Sequence, residues 1–205
     1  MKKEEGRKTR SDKKIAVAPY VSSEVYEMVS QVSYISDLPI KSVGERLFQE
    51  GIHSRVLLDH IKGLFRRNYQ RTGEHMYVGD LTLSPYRPNF EGEKQRLHMR
   101  MLTSYHDRLT DLAYALDCSN QAAAGLVIET AVMRKDILYP FLGQIIVREL
   151  DTQRYNQLRS LSRFLDARSK DAYITTPVLM RYIVEQSLND QQKLNKSLDQ
   201  LGFGN

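Results

Sequence analysis

The sequence predicts a mainly α-helical fold with short β-strands, built from a repeated order of one strand and two helices. Three observations predict it. Short stretches alternate apolar and polar residues, which is the period of a half-buried strand. Each stretch is followed by apolar residues three and four positions apart, as on one face of a helix. The same order of patterns recurs after a shift of 80 residues.

The composition predicts a folded cytoplasmic protein without a membrane partner. The chain has 205 residues, 41% of them hydrophobic, which is enough for one large domain or two to three small ones. The net charge of +5 permits a polyanionic partner without requiring one. The longest apolar stretch, residues 137–147, is too short to span a bilayer. A single cysteine, Cys118, excludes an intramolecular disulfide framework and a multi-cysteine metal site.

Residues 1–13 are expected to form a disordered basic arm. Residues 1–14 hold seven Lys or Arg against three acids, so this segment carries most of the excess positive charge. A basic arm beside a folded domain often samples the nucleic-acid backbone, and a merely solubilising tail explains the composition about as well.

The first copy of the repeat spans residues 14–53. Strand-like alternation opens it, and the serine pair Ser22 and Ser23 suits the cap of a first helix. A break at Asp37 ends that helix, and Pro39 suits the first turn of a second one. The apolar positions are Ile15, Val17 and Val21 in the strand, Val25, Met28, Val29, Val32 and Ile35 in the first helix, and Val43, Leu47 and Phe48 in the second.

The second copy spans residues 94–135. Its strand precedes Ser104 and Asp107, whose spacing fits a capping box, and Ser119 suits the cap of its second helix. The apolar positions are Leu97, Met99 and Met101 in the strand, Tyr105, Leu109, Leu112 and Leu116 in the first helix, and Ala123, Val127 and Ile128 in the second.

The rest of the chain is predicted to be helix and connector. Residues 54–93 hold a helix from about Ser54 and a long connector, with a short hairpin in MYVGDLTL. That helix has two faces, an apolar one with Val56, Leu57, His60, Ile61, Leu64 and Phe65, and a basic one with Arg55, Lys62, Arg66 and Arg67. Residues 136–205 are predicted to be a C-terminal helical module. In it, residues 144–188 form either a degenerate third copy or a two-helix module for oligomerisation or partner binding. We expect these C-terminal helices to join two chains into a dimer.

A strand, a helix, a tight turn and a helix in about 40 residues cannot bury their apolar faces alone, so each copy must pair. Residues 14–52 and 94–132 resemble the ribbon-helix-helix family of DNA-binding proteins, which includes the Arc and methionine repressors. The resemblance implies two intertwined units whose strands form an antiparallel ribbon that enters the major groove. The tandem organisation is similar to that of the conjugation accessory protein of F-type plasmids.

The candidate site is the face of this ribbon that points away from the helices. Base contacts are expected from Arg96, His98 and Arg100 of the second strand and from Lys14, Ala16, Ala18 and Tyr20 of the first. Arginine can donate bidentately to guanine O6 and N7. Phosphate contacts are expected at the starts of the second helices, from Lys41, Ser42, Ser119 and Asn120. The alternative is a charged edge strand protected against aggregation.

Two details of the two copies carry further expectations. Pro19 lacks an amide donor, which predicts that the first strand ends early or leaves one position unpaired. Gly44 and the small residues 122–125 suit a close crossing of the two second helices, although helix propensity alone also explains the alanines.

We therefore expect a sequence-specific double-stranded DNA-binding protein. The resemblance implies a bacterial plasmid or phage regulator of transcription, such as a repressor, or a factor in DNA transfer or partition. The alternatives are a helical protein-interaction adaptor with an incidental basic tail, and non-specific nucleic-acid binding through the tail alone. Catalytic residues, a metal site and cofactors are not expected, because no nucleophile–base pair, metal-ligand spacing or phosphate-binding glycine loop is evident.

Overall fold

The fold was analysed in a computed structural model. It describes residues 14–134 except 72 and 74, residues 136–138 and 142, and positions 153, 156, 157, 160, 161, 163, 164 and 167. The predicted arm at residues 1–13 and most of the predicted third copy lie outside the described residues. Within them, the expected mainly helical fold with short antiparallel strands is confirmed.

The elements follow one another in the predicted order. The strands are β1 (Lys14–Val17), β2 (Tyr20–Ser22), β3 (Tyr69–Gln70), β4 (Met76–Tyr77), β5 (Lys94–Arg96) and β6 (Met99–Leu102). The helices are α1 (Ser23–Ser36), α2 (Ile40–His53), α3 (Arg55–Ile61), α4 (Thr103–Leu116) and α5 (Asn120–Val132), with a 3-10 turn at Lys62–Leu64. Both ends of α1 and α4 are 80 residues apart, as are the starts of α2 and α5.

Helices α1 and α4 end in the same way. Asp37 and Asp117, with φ of 56° and 52°, are the non-glycine residues of the described chain that have positive φ. The amide of each donates to the carbonyls three and four residues earlier in its helix. Aspartate tolerates this left-handed conformation better than most residues, so the same residue type closes the first helix of both copies.

The strands of the two copies pair with each other. β1 lies antiparallel to β6, from Lys14 opposite Leu102 to Val17 opposite Met99. β2 lies antiparallel to β5, from Tyr20 opposite Arg96 to Ser22 opposite Lys94. The two residue numbers of every pair add up to the same value in both ladders. The register therefore continues from one ladder to the other without an inserted residue. We refer to these four strands, with the two residues between the strands of each copy, as the ribbon.

Pro19 interrupts the ribbon without ending it. The amide of Leu97 donates to the carbonyl of Pro19 at 3.0 Å, and the amide of Ser23 continues the ladder to the carbonyl of Glu93 at 3.0 Å. An ordinary residue at position 19 would exchange two hydrogen bonds with Leu97, but proline can only accept one. Strand β1 therefore ends early, at Val17, which is the first of the two predicted outcomes, while position 19 keeps one hydrogen bond to Leu97.

One hydrophobic core lies between the inner face of the ribbon and the helices. Helix α2 packs against α5, and the residue at their crossing is Gly51. A Cβ at Gly51 would lie 2.8 Å from Cγ1 of Val127 and 3.3 Å from Cβ of Ala131. The ribbon contributes the buried side chains of Val17, Val21, Leu97, Met99 and Met101, which include all three apolar residues predicted for the second strand.

The predicted role of Gly44 and Gly125 in helix crossing is wrong. A Cβ at Gly44 would lie 3.0 Å from Cδ2 of Leu97, and a Cβ at Gly125 would lie 2.6 Å from the carbonyl oxygen of Tyr20. Both glycines therefore let a second helix approach the ribbon strand of the opposite copy. This arrangement intertwines the two copies.

The connector differs from its prediction in two respects. Ser54 caps α3 as expected, since its hydroxyl accepts from the amide of Leu57 at 3.2 Å. However, Val56 and Leu64, predicted on the buried face, are 49% and 39% exposed. The hairpin joins β3 to β4 and so begins earlier in the chain than predicted. The buried residues of this segment are Leu57, Leu58, Ile61, Phe65 and Tyr69.

Arg66 and Arg67, predicted on an exposed basic face, anchor the connector to the end of α4 instead. Nη1 of Arg67 donates to Oδ1 of Asp117 at 2.8 Å, and Arg66 binds the other carboxylate oxygen. The amides of both arginines donate to the carbonyl of Ala115, at 2.8 and 2.9 Å. Cations at a helix C-terminus are favoured by its dipole, so this contact fixes the connector against the second copy.

Two predicted helix caps are confirmed, one helix start is displaced by one residue, and one predicted capping box is wrong. The hydroxyl of Ser22 accepts from the amide of Val25, and that of Ser119 accepts from the amide of Ala122, so both serines are caps. Pro39 precedes the first turn of α2 as its capping residue. The predicted capping box at Ser104 is wrong, because α4 begins after Leu102 without a side-chain cap.

The described positions after α5 add helical residues to the same core. Residues 136–138 are helical, and Ile137, Leu138, Leu142 and Leu161 are buried. The hydroxyl of Tyr34 on α1 donates to Oε1 of Gln153 at 2.9 Å. None of the described helices has both the length and the apolar character needed to cross a membrane.

Candidate nucleic-acid interface

The outer face of the ribbon carries a row of basic side chains on its second strand. Arg96, His98 and Arg100 are all exposed, while Leu97, Met99 and Met101 between them are buried. Lys94 at the start of β5 is exposed two positions before Arg96, and Gln95 between them is exposed as well. The prediction omitted Lys94, although it continues the same period of two.

Tyr20 lies between two of these cations. Cζ of Arg96, its partner across the ribbon, is 4.8 Å from the centre of the Tyr20 ring, and Nζ of Lys94 is 4.9 Å from it. Cations at such distances are attracted by the quadrupole of the ring. Within the described part of the chain, no carboxylate forms an ion pair with Lys94 or Arg96. Their positive charge is therefore oriented by Tyr20 but not neutralised by it.

The first strand contributes much less charge. Nζ of Lys14 forms an ion pair with Oε1 of Glu45 on α2 at 2.6 Å. Ala16 is exposed directly opposite Arg100, and the same register places Ala18 opposite His98. The small alanines leave the long side chains of the second strand uncovered.

The predicted phosphate-contacting residues at the helix starts are not equivalent. Lys41 is exposed at the start of α2, whereas the amide of Ser42 already donates to the carbonyl of Pro39 at 2.8 Å. Nδ2 of Asn120 donates to Oγ1 of Thr110 at 3.1 Å, which turns this side chain toward α4. Ser119 is exposed, and its hydroxyl is engaged as the cap of α5.

A groove of about 480 Å³ lies at the β2–β5 end of the ribbon. It brings together four predicted site residues, Ala18, Tyr20, Arg96 and Ser119. His98, Arg100, Lys41 and Ser42 are not among the residues that line it. The other lining residues are Pro88, Phe90, Lys94, Gln121 and Ala122.

The contribution of the connector to this groove was missed in the sequence. Phe90 lies against Lys94, whose Nζ is 5.9 Å from the centre of its ring. The amide of Tyr86 donates to the carbonyl of Leu116 at 3.0 Å, which holds the connector beside α4 and α5. No local signal around Phe90 indicates this placement, because it depends on how the connector docks onto the second copy.

Two observations concern the cysteine thiol and the possible metal ligands. Burial raises the pKa of the Cys118 thiol to about 11, so this thiol is protonated at neutral pH and a poor nucleophile. Among the described residues, no group of three or more His, Cys, Asp and Glu side chains is placed to hold a metal ion. The surface is suited to binding an anion.

Comparison with known proteins identifies no relative. No family model matches the chain, and no curated protein or solved structure is significantly similar to it. The interpretation of the ribbon therefore depends on its geometry and charge.

Proposed function

We propose that the protein binds double-stranded DNA in a sequence-specific manner, with the ribbon lying in the major groove as in the ribbon-helix-helix family. One observation carries this proposal. A single register pairs the strands of the two copies and leaves Lys94, Arg96, His98 and Arg100 exposed on the face opposite the core. A two-stranded ribbon fits the major groove, and arginine is the side chain best suited to read guanine there.

The distribution of charge supports an anionic partner. Like charges on one face of a strand repel each other, which costs stability unless an anion lies against them. Within the described residues, the ion pair that the ribbon forms joins Glu45 to Lys14, which lies on the other strand. A charge-protected edge strand would not require alanines beside the cations, whereas a surface that enters a groove needs such space.

The two strands of the ribbon would contribute unequally to recognition. Arg96 and Arg100 lie on the second strand, and their counterparts 80 residues earlier are Ala16 and Tyr20. A ribbon whose two strands present different side chains would bind an asymmetric DNA sequence. We propose that the second copy carries most of the sequence discrimination.

The proposal is tested by measuring DNA affinity of the double variant Arg96→Ala/Arg100→Ala by fluorescence titration with labelled duplexes. We expect a strong loss of affinity and of sequence preference, with the circular dichroism spectrum unchanged. Arg55→Ala/Lys62→Ala is the matched control, because it removes two exposed cations that both lie near Asp59, away from the ribbon. Equal affinity of the ribbon variant and the wild type would contradict the proposal.

The proposed cellular role is that of a bacterial plasmid or phage regulator, acting as a transcriptional repressor or as an accessory factor in DNA transfer. Dimerisation through the C-terminal helices and an auxiliary contact from residues 1–13 belong to the same proposal.

Deletion of residues 2–13 should weaken DNA binding modestly and reduce its salt dependence, because the arm supplies only non-specific phosphate contacts. Loss of all binding on this deletion would favour the tail as the main binding element.

Exposed apolar side chains favour a second candidate, a protein-interaction adaptor. Val56, Leu64, Val78 and Leu81 are 49%, 39%, 76% and 69% exposed. Exposed apolar side chains that lie together on a surface often bind partners. Two results together would support the adaptor. The wild-type protein would bind no duplex, and it would bind a specific partner protein that Val78→Ser/Leu81→Ser does not bind.

A further inference from the structure

We propose that the groove at the β2–β5 end of the ribbon binds a phosphate group, with Lys94 and Arg96 as its ligands. This inference deepens the proposed DNA-binding function, because a backbone phosphate of the bound duplex is one source of that group. A free nucleotide is the other source. The chemistry is the same in both, a phosphate ester held by two cations.

The two cations are already held in place for such a ligand. Lys94 and Arg96 are two residues apart on β5, so their side chains leave the same face of the strand. Both lie over Tyr20, at 4.9 and 4.8 Å from its ring centre. A long cationic side chain usually loses conformational freedom when it binds an anion, and stacking on an aromatic ring reduces that loss. Tyr20 therefore acts as a positioning residue.

The groove has the size and composition that a phosphate ester requires. Its volume of about 480 Å³ exceeds the needs of a single phosphate and accommodates an attached sugar. Pro88 and Phe90 of the connector supply apolar surface, and Ser119 and Gln121 at the start of α5 add polar groups. Within the part of the chain that the structure describes, no carboxylate lines this groove. Glu129 lies in a smaller adjoining cavity, and its Oε1 accepts from the amide of Ser22 at 2.6 Å.

Among the described residues, the opposite end of the ribbon lacks the equivalent side chains. The residues that match Lys94 and Arg96 after the 80-residue shift are Lys14 and Ala16. Lys14 is paired with Glu45 at 2.6 Å, and Ala16 cannot bind an anion. The position that matches Tyr20 is Arg100, which provides no aromatic ring. A phosphate held only at the β2–β5 end would fix the direction in which the ribbon lies along the DNA.

The test uses the full chain and three probes: a mixed-sequence duplex, adenosine 5′-monophosphate and inorganic phosphate. Amide chemical shifts of Lys94, Arg96, Ser119 and Gln121 are followed in the wild type, in Lys94→Gln and in Lys62→Gln. We expect at least one phosphate-bearing probe to shift these signals in the wild type and in Lys62→Gln, and not in Lys94→Gln. For duplex DNA, Lys94→Gln should also reduce the salt-dependence slope of affinity by about 1.

The outcomes separate the two sources and the two proposals. A response to duplex alone identifies a DNA backbone phosphate, and saturation by adenosine 5′-monophosphate identifies a nucleotide ligand. If no probe shifts these four signals, or if Lys94→Gln responds like the wild type, the groove is not a phosphate site. DNA binding that depends on Arg100 but not on Lys94, with no response of the groove to adenosine 5′-monophosphate or inorganic phosphate, would overturn this inference and leave the proposed function intact. Phosphate binding in the groove of a protein that binds no duplex would support this inference and contradict the proposed function.

Discussion

The amide of Leu97 donates to the carbonyl of Pro19 at 3.0 Å, and this bond joins the two ladders of the ribbon. The strands of the two copies therefore pair within one chain along a single register. On either side of this hydrogen-bonded pair, the outward residues occupy the closer, non-hydrogen-bonded positions. Ala16 opposite Arg100 is one such position.

A disulfide should form within one chain when both of these residues are replaced by cysteine. Ala16→Cys/Arg100→Cys is made in a Cys118→Ser background, because Cys118 is the only native cysteine. Cα atoms of non-hydrogen-bonded pairs are about 4.5 Å apart, within the range of a disulfide. Non-reducing electrophoresis should show a compact monomer, whereas Ala16→Cys/Arg96→Cys, out of register, should stay reduced. A covalent dimer would show that the strands pair between chains.

Gly125→Ala should destabilise the protein although alanine is the better helix former. The new Cβ would lie 2.6 Å from the carbonyl oxygen of Tyr20, so α5 or the ribbon must shift. We expect a loss of about 1 to 3 kcal/mol in the free energy of unfolding. The control is Gly63→Ala, where the added Cβ meets nothing within 4 Å. It should be neutral or stabilise by up to about 1 kcal/mol, and urea unfolding of both variants makes the comparison.

Serine-to-alanine substitutions at two helix starts should have different effects. Ser119→Ala removes the hydroxyl that accepts from the amide of Ala122 at 3.2 Å, which should cost about 1 kcal/mol. Ser104→Ala should change stability by less than about 0.5 kcal/mol, because Ser104 is exposed and α4 lacks a side-chain cap. A large loss of stability in Ser104→Ala would indicate that the predicted capping box forms after all.

The Asp117 contact should make stability depend on acid pH. Hydrogen bonds from Arg67 and Arg66 hold the pKa of this carboxyl below its usual value. A folded-state pKa below the unfolded one stabilises the protein above the unfolded pKa, about 3.9, and this contribution is lost as the pH falls through the folded pKa. Urea midpoints measured below about pH 4 should therefore fall less steeply for Asp117→Asn than for the wild type.

The control for this pH dependence is Asp107→Asn, which removes an exposed acid from the same helix. Its midpoints should follow the wild-type pH dependence. A profile of Asp117→Asn that coincides with the wild type would show that the two arginines do not bind the carboxylate in solution.

Cys118 should react slowly with thiol reagents. Burial raises its pKa to about 11 from a usual 9.0, so its thiolate fraction at pH 8 should be roughly a hundredfold lower than that of a free thiol. The rate of alkylation by iodoacetamide, measured against pH, should keep rising up to about pH 11. A plateau below pH 9 would contradict this assignment.

The order of elements was predictable because it depends on local periodicity. Alternation at Leu97, Met99 and Met101 and the breaks at Asp37 and Asp117 are visible in single segments of sequence. The 80-residue shift added further support, since the same signals had to occur twice. The bounds of α1 and α4 follow this shift at both ends.

Features that depend on how distant segments of the chain pack together were not predictable. Arg66 and Arg67 have the composition of a solvated basic face, and only the packed connector places them on Asp117. Gly44 and Gly125 indicate a close approach, but the sequence does not say whether a helix or a strand approaches. Phe90 reaches the ribbon for the same reason, because Tyr86 is fixed to the end of α4 by a backbone hydrogen bond.

Selection of bound duplexes from a random-sequence library tests the central claim most directly. The account predicts that the wild-type protein enriches a defined and asymmetric motif, and that Arg96→Ala/Arg100→Ala enriches none while retaining its helical spectrum. Recovery of the same motif by this variant, or of no motif by the wild type, would contradict recognition of DNA through the ribbon.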